Sequence, residues 1–313
     1  MPPDSQMPAP ANAKAHPNVL EVDALQVTFD TEAGRVTAVD GMTLHVPRGG
    51  IMGLVGESGC GKSVTAYSIL RLVKPPGRIA GGRIRVFPRE GAPLDITALG
   101  PKAPELFQVR GGLVSMIFQE PMTALSPVHT IGNQLCEAIL IHEDVSPAEA
   151  QAIAIEFLHR VAIPDPASRM TQYPFELSGG MRQRVVIAMA LVCNPELVIA
   201  DEPTTALDVT IQAQVMGLLK DLQGRLGVSV LLITHDLGVI AQMADTIAVM
   251  YLGRVVEQAG VHAVMKTPRH PYTQGLIASL PSSSAEKEDL FSIPGTVPSL
   301  HEIPNGCPFH PRC

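Results

Sequence analysis

The residues best able to do chemistry stand first in Gly56-Glu-Ser-Gly-Cys-Gly-Lys-Ser63, a complete G-x-x-x-x-G-K-S stretch. The apolar run Ile51–Val55 before it reads as a buried strand, and Val64–Leu72 after it reads as a helix. Strand, glycine loop and helix together are the context in which this spacing binds a phosphate chain. Gly56, Gly59 and Gly61 let the backbone turn tightly and aim N–H groups at an anion, and the helix adds its positive end. Lys62 is placed for the β- and γ-phosphates, and the Ser63 hydroxyl for Mg²⁺. The expected nucleotide contacts are Gly56, Glu57, Ser58, Gly59, Cys60, Gly61, Lys62, Ser63 and Val64. Cys60 reads as a small loop residue whose alkylation would block nucleotide.

Four further places offer chemistry. Leu177-Ser-Gly-Gly-Met-Arg-Gln-Arg184 opens a second helix on a glycine pair and presents N–H groups to another anion. Glu196–Ala200 reads as a buried strand that delivers Asp201 at its carboxyl end, a fitting Mg²⁺ ligand, with Glu202 one residue on to take a proton from water. Gln119 ends a second apolar strand, Gly112–Phe118, and His235 follows a third, Val228–Ile233.

The elements that must position these residues can be read in order. Val19–Phe29 alternates as a strand, and Asp40-Gly41 between Val36–Val39 and Met42–Val46 predicts a hairpin turn. Arg83–Phe87 reads as a short strand and the Pro- and Gly-rich Pro88–Pro104 as a surface insertion. Pro121 and Pro127 predict a loop. Ile131–Val161 has helical periodicity, with Ser146-Pro147 and Glu149 as cap, first-turn proline and first-turn acid. Val209–Leu226 is an amphipathic helix, and Thr246–Tyr251 and Arg254–Gln258 are closing strands. No internal repeat occurs, so one nucleotide core is expected.

Composition narrows the class. The chain has 313 residues, 46% hydrophobic, with a net charge of −7. That charge argues against a broad nucleic-acid footprint. No uninterrupted apolar run reaches the ~18 residues that span a bilayer. Met1–Asn18 is rich in Pro and Ala without an apolar signal core and reads as a disordered leader, which implies a cytoplasmic chain. Cys60, Cys136 and Cys193 are scattered, as in a reducing compartment.

The ordered set Gly56–Ser63, Gln119, Leu177–Arg184, Asp201-Glu202 and His235 resembles the ATP-binding subunit of an ABC transporter, over roughly Val19 to Val261. Phe118-Gln-Glu-Pro-Met122, Tyr173-Pro174, Asp201-Glu-Pro-Thr-Thr-Ala-Leu-Asp208 and His270-Pro-Tyr-Thr273 resemble the peptide, opine and nickel importers, the oligopeptide and dipeptide permease ATPases among them. Glu120, Ser126 and Phe175 depart from that group's usual residues.

The resemblance implies an α/β fold: a P-loop NTPase core of ABC ATPase type, an antiparallel β subdomain, an inserted helical subdomain near 121–180, and a C-terminal extension over 262–313. It makes Glu202 the catalytic base, His235 the switch histidine and Gln119 the lid-loop glutamine at the metal and water shell. Ser178, Gly179 and Gly180 become the signature, Asp208 part of an inter-subunit loop, and Phe29 the stacking platform for adenine. It implies ATP and Mg²⁺, with Ser63, Gln119 and Asp201 at the metal, and two cassettes closing head to tail on nucleotide. The partners implied are a sister ATPase or a second copy, two membrane permeases contacted by the Gln119–His142 region, and, indirectly, a solute-binding protein. The place implied is the cytoplasmic face of the inner membrane.

Peptide is the solute expected, with nickel, opine or another small solute as the alternative. A soluble ABC-type ATPase of DNA repair or translation would need a coiled-coil insertion or two fused cores. A GTPase would need an Asn-Lys-x-Asp element, and a non-catalytic module would have lost Lys62 or Glu202. None of these features is found.

His262–Leu280 reads as a helical pair around Pro268 and Pro271, and Ser282–Ser299 as loose and polar. In Gly306-Cys-Pro-Phe-His-Pro-Arg-Cys313, Cys307 and Cys313 are half of a four-thiolate set, or two thiols at a frayed end. The resemblance implies an iron–sulfur centre with further cysteines, and so a chain cut or incomplete at this point.

Overall fold

A computed structural model describes residues 16–205, 208–280 and 291–313. The expected leader falls largely outside them. The fold takes up the chain already at His16, whose ring stacks on Phe87 at 3.7 Å.

The first layer is antiparallel. Strands β1 (Asn18–Thr31), β2 (Gly34–Pro47), β4 (Gly77–Val86) and β5 (Leu94–Asp95) lie in the order β2-β1-β4-β5. The hairpin expected at Asp40-Gly41 is not there. β2 runs straight through that pair, and the chain reverses at Glu32-Ala33, where Thr31 faces Gly34. Asp40-Gly41 coincides with a register shift: Leu25 pairs Met42, whereas Val27 pairs Val39. A glycine at φ +66 serves a bulge as well as a turn. The Asp40 carboxylate accepts from Arg254 at 2.6 Å, which ties the bulge to the second sheet.

That second sheet holds β3 (Ile51–Val55), β6 (Val114–Ile117), β7 (Leu197–Asp201), β8 (Ser229–Thr234), β9 (Thr246–Tyr251) and β10 (Arg254–Gly260), in the order β10-β9-β3-β8-β7-β6. All neighbours are parallel except β9 with β10. Every residue of β3, β6, β7 and β8 is buried, as a parallel sheet covered on both faces requires. Alternate residues feed two cores. Met52, Leu54, Ile199, Leu231 and Ile233 join the antiparallel layer's Leu20, Val22 and Val39. Val55, Val198, Ala200, Val230 and Leu232 join the helices on the other face.

The helices are α1 (Lys62–Ile69), α2 (Glu105–Val109), α3 (Pro121–Ala124), α4 (Ile131–His142), α5 (Pro147–Arg160), α6 (Pro166–Arg169), α7 (Gly179–Leu191), α8 (Val209–Leu226), α9 (Leu237–Met243), α10 (Val261–Lys266) and α11 (Pro271–Ala278). The segment at Pro121, expected as a loop, winds one helical turn as α3 before the chain enters α4. α3 to α7 are all inserted between the neighbouring strands β6 and β7. Ser146 and Glu149 form a reciprocal capping box at α5. No helix among the described residues is long and apolar enough to cross a membrane.

After α11 the described tail returns to the sheet. Phe309 is buried against Tyr251, Tyr272 and His270, with ring centroids 5.3, 5.4 and 5.8 Å away.

Candidate functional site

The parallel sheet decides what meets what, because parallel strands bring their carboxyl ends to one edge. Val55 pairs Thr234, Ile233 pairs Asp201, and Ala200 pairs Ile117. The glycine loop, His235, Asp201-Glu202 and Gln119 therefore emerge side by side, although they span most of the chain.

The loop has little freedom. A Cβ on Gly61 (φ +107) would meet the Ala38 carbonyl oxygen at 2.5 Å, and one on Gly56 the Met250 carbonyl oxygen at 2.2 Å. Gly61 caps α1, so the first free N–H groups of that helix open into the loop. Lys62 is buried and folded back, its Nζ donating to the carbonyls of Gly56 (2.8 Å) and Glu57 (3.0 Å). Polyphosphate oxygens arriving here would take over an ammonium that the loop now satisfies with its own backbone. The loop faces a cavity of about 800 Å³, lined by Phe29, Glu57, Ser58, Gly59, Gly61, Lys62, Ser63, Val64, Gln119, Glu202 and His235, together with Leu300 from the tail.

Glu202 is the hub of the polar side of this cavity. One carboxylate oxygen faces His235 Nδ1 at 3.1 Å, and the other accepts from Gln119 Nε2 at 3.1 Å and Thr205 Oγ1 at 3.0 Å. Burial pushes its pKa up, but His235, Thr205 and Lys62 more than offset this and hold it below the usual carboxylate range. Its backbone sits at φ +46, a left-handed conformation that few non-glycine residues adopt and that tends to occur at functional sites.

Asp201 behaves in the opposite way. It is 2% exposed, and burial, opposed by the Ser63 hydroxyl and reinforced by Glu202, raises its pKa. Its Oδ1 is buried with no hydrogen-bond partner. An orphaned acid oxygen beside a hydroxyl and a phosphate loop is the donor set of a hard divalent cation, so the residues present fit Mg²⁺.

Other expected residues lie elsewhere. Cys60 does not line the cavity; it is 2% exposed, and burial raises its thiol pKa. A buried, protonated thiol is a poor nucleophile, so Cys60 serves the loop as a small residue and its alkylation would be slow in the native chain. Ser178 caps α7, accepting from Met181 N, and Asp208 caps α8, accepting from Ile211 N. Ser178, Gly179, Gly180 and Asp208 do not line the cavity. Cys307 and Cys313 are exposed, and they belong to no group of three or more close metal-ligating side chains among the described residues. Two thiols alone do not hold a cluster.

Sequence reasoning missed Thr205, Tyr272, Leu300 and Arg312. Thr205 stood inside a quoted motif without a role. The other three come from the C-terminal extension: Tyr272 accepts from Glu57 N at 2.9 Å, and Arg312 pairs with the Glu57 carboxylate at 2.8 and 3.1 Å. No local pattern signals contacts over such sequence distances.

Comparison with known proteins agrees with this geometry. Residues 39–205 match the ABC transporter family model, and residues 256–313 match the model of the oligopeptide/dipeptide transporter C-terminal region. The chain is 49% identical over 296 residues to the dipeptide transport ATP-binding protein DppD of Bacillus subtilis, covering 94% of this chain and 86% of that protein. It is 48% identical over 295 residues to DppD of Escherichia coli, covering 94% and 88%. Among solved structures it is similar to an ATP-binding cassette determined as a dimer in a post-hydrolysis state bound to ADP and Pi, with a TM-score of 0.67 and 26% identity over 77% of this chain and 98% of that one. A phosphate loop, an acid pair at a neighbouring strand end and a matching cassette fold over nearly the whole of such relatives leave one assignment: the chain belongs to the ABC transporter family, as its ATPase subunit.

Proposed function

We propose that this chain hydrolyses ATP to drive import of di- or oligopeptides through a membrane transporter. The observation that carries hydrolysis is the convergence of Lys62, Glu202, Gln119 and His235 on one cavity, with Asp201 buried behind it against the Ser63 hydroxyl. Peptide as the solute is supported by the C-terminal match and the peptide-transport relatives.

The work of the site is positioning and charge compensation, since phosphoryl transfer asks for little covalent chemistry from protein. Lys62 and the loop amides take the triphosphate, and Phe29 gives the adenine an apolar face. Ser63, Asp201 and Gln119 would hold Mg²⁺, which when bound offsets charge on the β- and γ-phosphates. Glu202 accepts the proton of the attacking water once Gln119 and His235 exchange their bonds to it for bonds to water and γ-phosphate. Ser178, Gly179, Gly180 and Asp208 serve the nucleotide of a second cassette, a sister subunit or another copy.

Exposed Val128, Leu140 and Ile141 give the Gln119–His142 region an apolar surface for two permeases, which would hold the subunit at the inner face of the membrane. A solute-binding protein would act further out. A metal centre on Cys307 and Cys313 requires ligands from outside the described residues; iron and zinc analysis of anaerobically purified protein tests it.

The experiment is ATPase activity of the complex reconstituted with its permeases. Peptide should stimulate turnover, and Glu202→Gln should lower it by roughly 10²-fold or more while ATP still binds. Stimulation by nickel or an opine and not by peptide would transfer the solute assignment. Undiminished turnover in Glu202→Gln would remove the base.

A further inference from the structure

We infer that Arg312 is a positioning residue of the nucleotide site: it neutralises the carboxylate that the phosphate loop itself carries, which makes the C-terminal extension part of that site. The inference rests on the cavity being the ATP site.

Glu57 is the only acid in Gly56–Ser63, and it lines the cavity that must receive a polyanion. An unpaired carboxylate there repels the ligand, and repulsion near a half-buried site is poorly screened. Every group of Glu57 is nevertheless held. Its N–H donates to the Tyr272 hydroxyl at 2.9 Å, and its carbonyl accepts from Lys62 Nζ at 3.0 Å. Its two carboxylate oxygens accept from the two ends of the Arg312 guanidinium at 2.8 and 3.1 Å.

Arg312 is built in as firmly. Its side chain is 5% exposed, its Nε donates to the Pro294 carbonyl at 3.2 Å, and its guanidinium lies over the Tyr251 ring at 6.0 Å. A fork held this way is pre-organised for one carboxylate, which a surface ion pair is not. Phe309 buries the segment that carries it, and Leu300 from the same tail lines the cavity. The tail thus fixes both main chain and side chain of Glu57 and pairs its charge within the protein.

A tail staple and a charge neutraliser differ in one measurable respect. If Arg312 acts by cancelling Glu57, removing the charge on Glu57 must remove the need for Arg312. The test is a double-mutant cycle on the full chain, read as ATP dissociation constants by titration calorimetry and as KM against kcat. Arg312→Met should weaken ATP binding about tenfold, mostly in KM. In the Glu57→Gln background the same substitution should change affinity by less than about twofold. The cycle run with Arg312→Lys, which keeps the charge but not the fork, should show a smaller loss that Glu57→Gln again abolishes, and it covers the case in which methionine unfolds the tail. ATP affinity unchanged in Arg312→Met, or a loss that persists undiminished in the Glu57→Gln background, overturns the inference. Failure of the wild-type chain to bind ATP would instead overturn the nucleotide site itself.

Discussion

At the scale of single residues, Glu202, the base we propose, is tied up by its own neighbours. Against the upward push of burial, His235, Thr205 and Lys62 keep the Glu202 pKa low while Gln119 bonds the same carboxylate, which suits a stable resting site but makes a weak base. Thr205 is the donor easiest to remove without touching nucleotide. Thr205→Val deletes one lowering hydrogen bond, so the Glu202 pKa should rise and the acid limb of kcat/KM should move to higher pH, by less than about one unit. An unmoved limb would show that Thr205 does not tune the base. The thiols give a second check. Burial raises Cys60 and pushes Cys193 up to about 11, whereas Cys307 and Cys313 are exposed. Alkylation at neutral pH followed by peptide mass mapping should therefore label the tail pair in the native chain and Cys60 only after unfolding. Lys62, Asp201 and Glu202 were legible in the sequence because each follows a buried strand at fixed spacing. Thr205 was not, since its role depends on how the chain turns after Pro203.

At the scale of elements, local rules read well where the signal is local. Ser146 and Glu149 announced the start of α5, and both reciprocal bonds form, with Ser146 N to Glu149 Oε2 at 2.8 Å and Glu149 N to Ser146 Oγ at 3.3 Å. Ser146→Ala should cost about 1 kcal/mol, seen as a lower thermal midpoint, with ATP affinity unchanged because the cap lies outside the cavity. A loss of nucleotide binding would mean that the inserted helices are coupled to the loop more tightly than their packing suggests. Asp40-Gly41 misled for a physical reason. A glycine at positive φ answers both a tight turn and a bulge, and only pairing with β1 distinguishes them. The real reversal at Glu32-Ala33 carries no glycine within the turning pair, and Gly34 at φ +116 follows it.

At the scale of the whole molecule, the strand order β10-β9-β3-β8-β7-β6 is what assembles the site, and it is invisible in any one segment. Buried strands were evident from their apolar runs, but nothing in those runs says that β3 inserts between β8 and β9 or that the tail closes on Glu57. The same frame leaves the second glycine helix idle. Gly179 and Gly180 open α7 away from the cavity, so within this chain their N–H groups meet no phosphate. A head-to-tail pair of cassettes would use them. Gly179 is the position that separates this from a folding role: a Cβ there would meet nothing within 4 Å, and its φ is not positive. Gly179→Arg should therefore fold and bind ATP at its own phosphate loop as the unaltered chain does. It should place a bulky cation over the nucleotide of the opposite cassette and block closure there. In a mixed complex, nucleotide trapping should be lost at the other subunit's site and retained on this chain's Lys62 site, with turnover falling by roughly 10²-fold. Trapping lost only at this chain's own site, or turnover left intact, would contradict the reciprocal arrangement and return α7 to a structural role.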